Sequence, residues 1–187
     1  QKQLLFEDQH LERLTKASRY FAYPFDPEEL RQKIEEECQA CDSHRDYRLR
    51  ITLSKSGEME LSRQILTPLS PTFCQAKLCL QEADLQQAFT YFKTTHRPHL
   101  SLGEQEIIYH NAAGELLETS IGNLVLKIAG KLYTPPTSLG ILPGIYRQHL
   151  LETGQVEEKV LTLADLNQTE AVYGCNAVRG LYELEVI

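Results

Sequence analysis

The chain has 187 residues, 42% hydrophobic and 24% charged, with a formal net charge of −7. That composition supports one sizeable core or two small lobes and excludes a disordered or collagen-like chain. No apolar run reaches the roughly 20 residues of a membrane span, Gln1 to Glu7 lack the character of a signal peptide, and the acidic balance argues against nucleic acid as the main partner, so a cytoplasmic protein is expected.

In chain order, Leu11, Leu14, Ala17 and Phe21 fall at helical spacing and predict a helix over 10–21. Asp26-Pro27-Glu28-Glu29 combines a cap, a proline at the first helical position and acids in the first turn, and Leu30, Ile34, Cys38 and Cys41 continue one face. From Tyr47 the period falls to two. Tyr47, Leu49, Ile51 and Leu53 alternate with Arg48, Arg50 and Thr52; Lys55-Ser56-Gly57 turns the chain; Met59, Leu61, Arg63 and Ile65 complete a hairpin. Residues 76–81 alternate again, so the first half reads as helices followed by an antiparallel sheet, an α+β arrangement.

The second half is strand-rich. Residues 106–110 and 123–128 read as strands, Leu142-Pro143-Gly144 leads into a helix over 145–152, and a strand near Val160 precedes a helix over 163–167. Two last strands surround Cys175-Asn176 and Leu184–Val186. The least patterned stretch, 93–103, divides the chain into lobes 1–92 and 93–187.

Five cysteines cannot all pair within one chain and read as reduced thiols. Cys38 and Cys41 lie in a helix-like IEEECQAC segment, and Cys74 and Cys79 have the wrong spacing for a second half-site, so no metal centre is expected. Lys93 follows Tyr91 and Phe92 at the end of a predicted strand; an apolar surround would lower its pKa and free the amine as a nucleophile. Glu118 falls between a turn and a strand, and Gly144-Ile145-Tyr146-Arg147 opens a helix whose backbone N–H groups suit a phosphate.

The order of Lys93, ELLETSIGN, LYTPP, GILPGIYR and VYGCNAVRG, with HLERL near the start, resembles the class IV aminotransferases, the pyridoxal-phosphate enzymes of fold type IV. The FKTTHRP and CNA segments are most similar to the aminodeoxychorismate lyases, in particular the lyase-like domain fused behind a chorismate-using synthase. The resemblance implies a two-lobe α+β fold like that of the D-amino-acid aminotransferases, with its N-terminal lobe cut short. It also implies a homodimer and a pyridoxal 5'-phosphate cofactor carried on Lys93, with Glu118 on the ring nitrogen. Arg13 matches the arginine on the cofactor phosphate, Ile145 and Tyr146 match its backbone donors, and Asn176 and Ala177 match the loop that approaches it from the C-terminal lobe. Asn123 matches a structural asparagine. Arg97 is the candidate cation for a substrate bearing carboxylates, with Arg179 a weaker one; His96 and His99 read as histidines of the pocket rim. The implied reaction converts 4-amino-4-deoxychorismate to 4-aminobenzoate and pyruvate, with an amino-acid transaminase or a non-catalytic docking domain of a larger synthase as alternatives.

Overall fold

The computed structural model describes residues 4–81, 88–97, 99–101 and 103–187. The chain forms two compact units, Gln1–Pro68 and Leu69–Ile187.

In the first unit, helix α1 (Glu7–Phe21) and helix α2 (Pro27–Gln39) precede a hairpin of β1 (Tyr47–Leu53) and β2 (Met59–Ile65). The Asp26 side chain accepts the Glu28 N–H at 2.9 Å, as the sequence predicts for the start of α2. Leu11, Leu30 and Ile34 form the buried centre, and the hairpin's alternate residues Leu49, Ile51, Met59 and Leu61 pack against it. Arg31 bridges Glu7 and Asp8 at 2.9 Å each and ties α2 to α1.

The second unit opens with the short helix α3 (Pro71–Cys74) and strand β3 (Gln75–Leu80), followed by the short helix α4 (Ala88–Tyr91). Strands β4 (Glu106–His110), β5 (Leu116–Thr119), β6 (Asn123–Ile128) and β7 (Lys131–Thr134) come next, and then helix α5 (Ile145–Glu152). Strand β8 (Glu157–Glu158), helix α6 (Leu163–Leu166), β9 (Ala171–Asn176) and β10 (Gly180–Val186) complete it. The sheet order is β5-β4-β3-β10-β9-β6-β7-β8, and because β5 also pairs with β6, six of these strands close into a ring. Its interior is filled by Ala76, Ile108, Leu116, Leu124, Leu126, Leu161, Val172 and Leu184.

Three sequence expectations change. Strand β3 does not extend the β1–β2 hairpin; it runs parallel to β4 and to β10, and the compact units accordingly divide ahead of the 92/93 position. Lys93 follows a helical turn, closed by Phe92 N–H to Ala88 O at 3.0 Å, rather than a strand. The strand expected near Val160 is instead β8 at Glu157–Glu158, with one isolated bridge between Glu115 and Thr162. Pro98 and Leu102, within the expected junction, lie outside the described residues. No helix among the described residues is long and apolar enough to cross a membrane.

Candidate functional site

Glu118 stands in β5 itself, not in the loop before a strand, and is 2% exposed. All four residues of β5 are buried. One oxygen, Oε2, accepts the Leu142 N–H at 3.4 Å; the other, Oε1, accepts from Arg97 Nη2 at 3.2 Å. Burial pushes the Glu118 carboxyl above the usual carboxylate range, while Arg97, the Leu142 N–H and the charge of Lys93 oppose that rise.

The turn that leads into α5 is built on the same two strands. Asn123, paired across the ring's seam with Glu118, donates from Nδ2 to Leu142 O at 2.8 Å. A Cβ on Gly144 would stand 2.0 Å from Asn123 Oδ1, so this position needs glycine for space and not for an unusual backbone angle. Gly144 is the N-cap of α5, and no side chain caps that helix. Ile145 is buried, and Tyr146 reaches toward Gly180 in the β9–β10 turn, where a Cβ would lie 3.4 Å from its hydroxyl. The expectation that Asn123 is structural fits these contacts.

Asn176 ties that turn to the β5–β6 turn. Its Oδ1 accepts the N–H groups of Val178 and Arg179 at 3.0 and 2.9 Å, and its Nδ2 donates to Ile121 O at 3.4 Å. Ala177 follows in the turn and brings no side-chain hydroxyl to it.

The segment after α4 completes the cluster. Leu100 packs against Tyr109, Leu117 and Ile141, and Ser101 N–H donates to the Tyr109 hydroxyl at 2.7 Å, which anchors the residues after Arg97 beside β5. Arg97 is 15% exposed at its side chain. Its Nε and the Nε2 of His99 are buried without a hydrogen-bond partner among the described residues. Burial, and the nearby charges of Arg97 and His96, push the His99 imidazole below its ordinary pKa. Lys93 is exposed, so the apolar surround expected for it is not supplied within the described residues; its charge nevertheless reaches Glu118.

Lys93, Arg97, Glu118, Ile145, Tyr146, Asn176 and Ala177 all belong to the second unit, and the contacts above link most of them around the β5–β6 seam. Arg13 belongs to the first unit, on α1, where its Nη2 lies 3.3 Å from His10 Nδ1.

Sequence reasoning passed over Glu106. It is fully buried in β4 and accepts hydrogen bonds from Ser120 Oγ, from Ile121 N–H at 3.2 Å and from the Tyr182 hydroxyl at 3.1 Å. Its signal was present in the pattern: Glu106 shares a strand face with Ile108, two residues on, and so falls on the core side.

A family model described as amino-transferase class IV matches residues 1–187. An aminodeoxychorismate lyase of Saccharomyces cerevisiae is 30% identical, over 50% of this chain and 32% of its own length. The matches to the first curated relatives span about a third of those proteins' length, 35% and 32%. Among solved structures, a Mesorhizobium loti protein provisionally assigned as an amino-acid aminotransferase is 27% identical, with a TM-score of 0.82 over 96% of this chain and 91% of that one. A hypothetical aminotransferase of Mycobacterium tuberculosis, in a PLP-bound form, shares the fold at 18% identity, with a TM-score of 0.79 over 97% of this chain and 76% of that one.

Proposed function

The chain belongs to the class IV aminotransferase family, and from that premise we propose that it binds pyridoxal 5'-phosphate and acts as an aminodeoxychorismate lyase. The observation that carries this reading is the convergence on Glu118: a buried carboxylate met by Arg97 and by the charge of Lys93, beside an uncapped helix start.

These residues fit the cofactor. Each Glu118 oxygen accepts one hydrogen bond and keeps a further lone pair, which a protonated ring nitrogen can use. The start of α5, with the backbone of Ile145 and Tyr146, suits a phosphate, as does the backbone at Asn176-Ala177. When bound, pyridoxal phosphate supplies an electron sink.

The chain's own residues do the rest. Lys93 Nζ is the amine that would hold the cofactor, and once free it takes the proton from substrate carbon C4. It returns a proton as the enolpyruvyl C–O bond breaks, so that 4-amino-4-deoxychorismate becomes 4-aminobenzoate and pyruvate with no other reactant. Glu118, where Arg97 opposes the effect of burial on the carboxyl, would hold positive charge at the ring nitrogen. Arg97 spends one donor on Glu118 and has Nε without a partner among the described residues, which leaves part of its fork for a substrate carboxylate.

An amino-acid transaminase is the second reading, favoured by the 27% identity to the Mesorhizobium protein. Two measurements separate the readings. Protein loaded with pyridoxal phosphate is expected to absorb in the visible, and Lys93→Ala to abolish the band; a colourless wild type would favour a docking domain of a larger synthase. Given 4-amino-4-deoxychorismate without a keto acid, the loaded protein is expected to release 4-aminobenzoate and pyruvate, with strong loss in Arg97→Ala. Turnover of an amino acid with 2-oxoglutarate, and no pyruvate from the chorismate derivative, would overturn the lyase reading.

A further inference from the structure

The Glu106 carboxyl is fully buried, burial pushes its pKa up, and among the described residues its hydrogen-bond partners are neutral: the Ser120 hydroxyl, the Ile121 N–H, the Tyr182 hydroxyl and the Thr119 side chain. A buried carboxylate held by neutral donors alone is unfavourable unless the geometry is tightly set. Here it is set from two strands and a turn. Glu106 comes from β4, Tyr182 from β10, and Ser120 and Ile121 from the turn between β5 and β6.

That turn is the one on which the candidate site hangs. It begins directly after Glu118 and Thr119 and ends at Asn123, the residue that holds Leu142. Ser120 is gripped by β4 through its backbone as well: its N–H donates to Ile107 O at 3.0 Å. Ile121 gives its N–H to Glu106 and its carbonyl to Asn176 Nδ2, so one peptide segment joins the buried carboxylate to the β9–β10 turn. The third arm has no slack. A Cβ on Gly174 would lie 2.5 Å from the Tyr182 ring, and one on Gly122 would lie 3.2 Å from the Tyr182 hydroxyl, so two glycines clear the space in which that hydroxyl meets Glu106.

We propose that Glu106 is a positioning residue of the candidate site, a clamp inside the ring that fixes the Ser120–Ile121 turn and, through it, both Glu118 and the Asn176–Arg179 turn. For cofactor binding this rests on the reading given under Proposed function; for the clamp itself it does not. It assigns Glu106 no contact with substrate or cofactor.

The test compares Glu106→Ala, Glu106→Gln and Ser120→Ala with Leu161→Ala, a substitution in the ring's apolar interior away from the turn. Amide hydrogen exchange is read on the full chain without cofactor. In Glu106→Ala, exchange over 119–123 and 176–180 is expected to accelerate about tenfold, the factor that follows from losing one or two buried hydrogen bonds, with little change over α2. Glu106→Gln keeps one acceptor oxygen and should fall between the wild type and Ala. Ser120→Ala should give the same footprint from the other end, and it carries the test if Glu106→Ala does not fold. Acceleration spread evenly through the second unit, or matched over these two segments by Leu161→Ala, would overturn the proposal. Pyridoxal phosphate affinity, measured by absorbance titration, is then expected to drop about tenfold in Glu106→Ala and to hold in Leu161→Ala. A wild type that binds no cofactor would sink the functional reading and leave the exchange result to decide the clamp.

Discussion

The pairing of Arg97 with Glu118 opposes the effect of burial on that carboxyl. Burial alone drives it toward the neutral acid, and Arg97 is the nearest force against that. A group whose folded pKa is raised contributes stability that is fully present below the unfolded value and is lost as the pH climbs through the folded one. Removing Arg97 lifts the folded pKa further and extends the loss. The gap between wild type and Arg97→Ala should therefore be small near pH 4, where Glu118 is protonated in both, and grow to about 3 kcal/mol toward pH 8, the magnitude of a buried pair broken on one side. Urea unfolding at several pH values checks this; Glu118→Gln added to Arg97→Ala should flatten the dependence. The sequence pointed to Lys93, Glu118 and Arg97 through motif order and residue chemistry. It gave no sign that Arg97 would meet Glu118, because that contact depends on Leu100 and Ser101 docking on Tyr109, side chains distant in the chain.

At the scale of an element, α5 begins where it does because β5 and β6 reach out to hold the turn before it. Asn123 and Gly144 occupy one contact, the amide oxygen filling the space where a Cβ would be. Asn123→Ala leaves Leu142 O, on a 6% exposed residue, without its donor and should cost about 1–3 kcal/mol. Gly144→Ala must push Asn123 aside and should cost a similar amount. Since both act on one contact, the double variant should lose clearly less than the sum, a coupling readable by chemical denaturation. Elements with clean periodicity were legible: α1, α2, the β1–β2 hairpin, β6 and α5 fall where the apolar pattern and caps put them. Strand β5 was not, because Leu116 to Thr119 are buried on both faces and show no alternation. The helical turn of α4 has four residues, too few for a period to show.

For the molecule as a whole, the α+β class was readable from pattern, whereas the partners of β3 were not, since a strand's sequence does not say which strand it will lie beside. Along its other edge β3 pairs with β10 only at Gln75 and Ala76, and Leu78 and Leu80 are 41% and 53% exposed. Sheet edges with apolar side chains tend to be covered by another chain, and we propose that a second copy does so, as the family resemblance implies. Light scattering at micromolar concentration should give a dimer, and Leu78→Lys with Leu80→Lys should shift it toward monomer; a wild-type monomer would count against the pairing.

The closure of the ring also sets an order of events during synthesis. Its seam at the candidate site joins near neighbours, Glu118 to Asn123, and can form as soon as the β5–β6 hairpin has been made. The opposite seam joins Gln75 to Glu185 and Ala76 to Val186, through two registered pairs. That seam must wait until nearly all of the second unit has left the ribosome. Until then β3 and β4 are an open parallel pair with one bare edge, the kind of surface that nascent chains need chaperones to shield. The growing polypeptide thus carries its candidate site half-built on the hairpin while the wall behind it is still open, and it is β10 that shuts it.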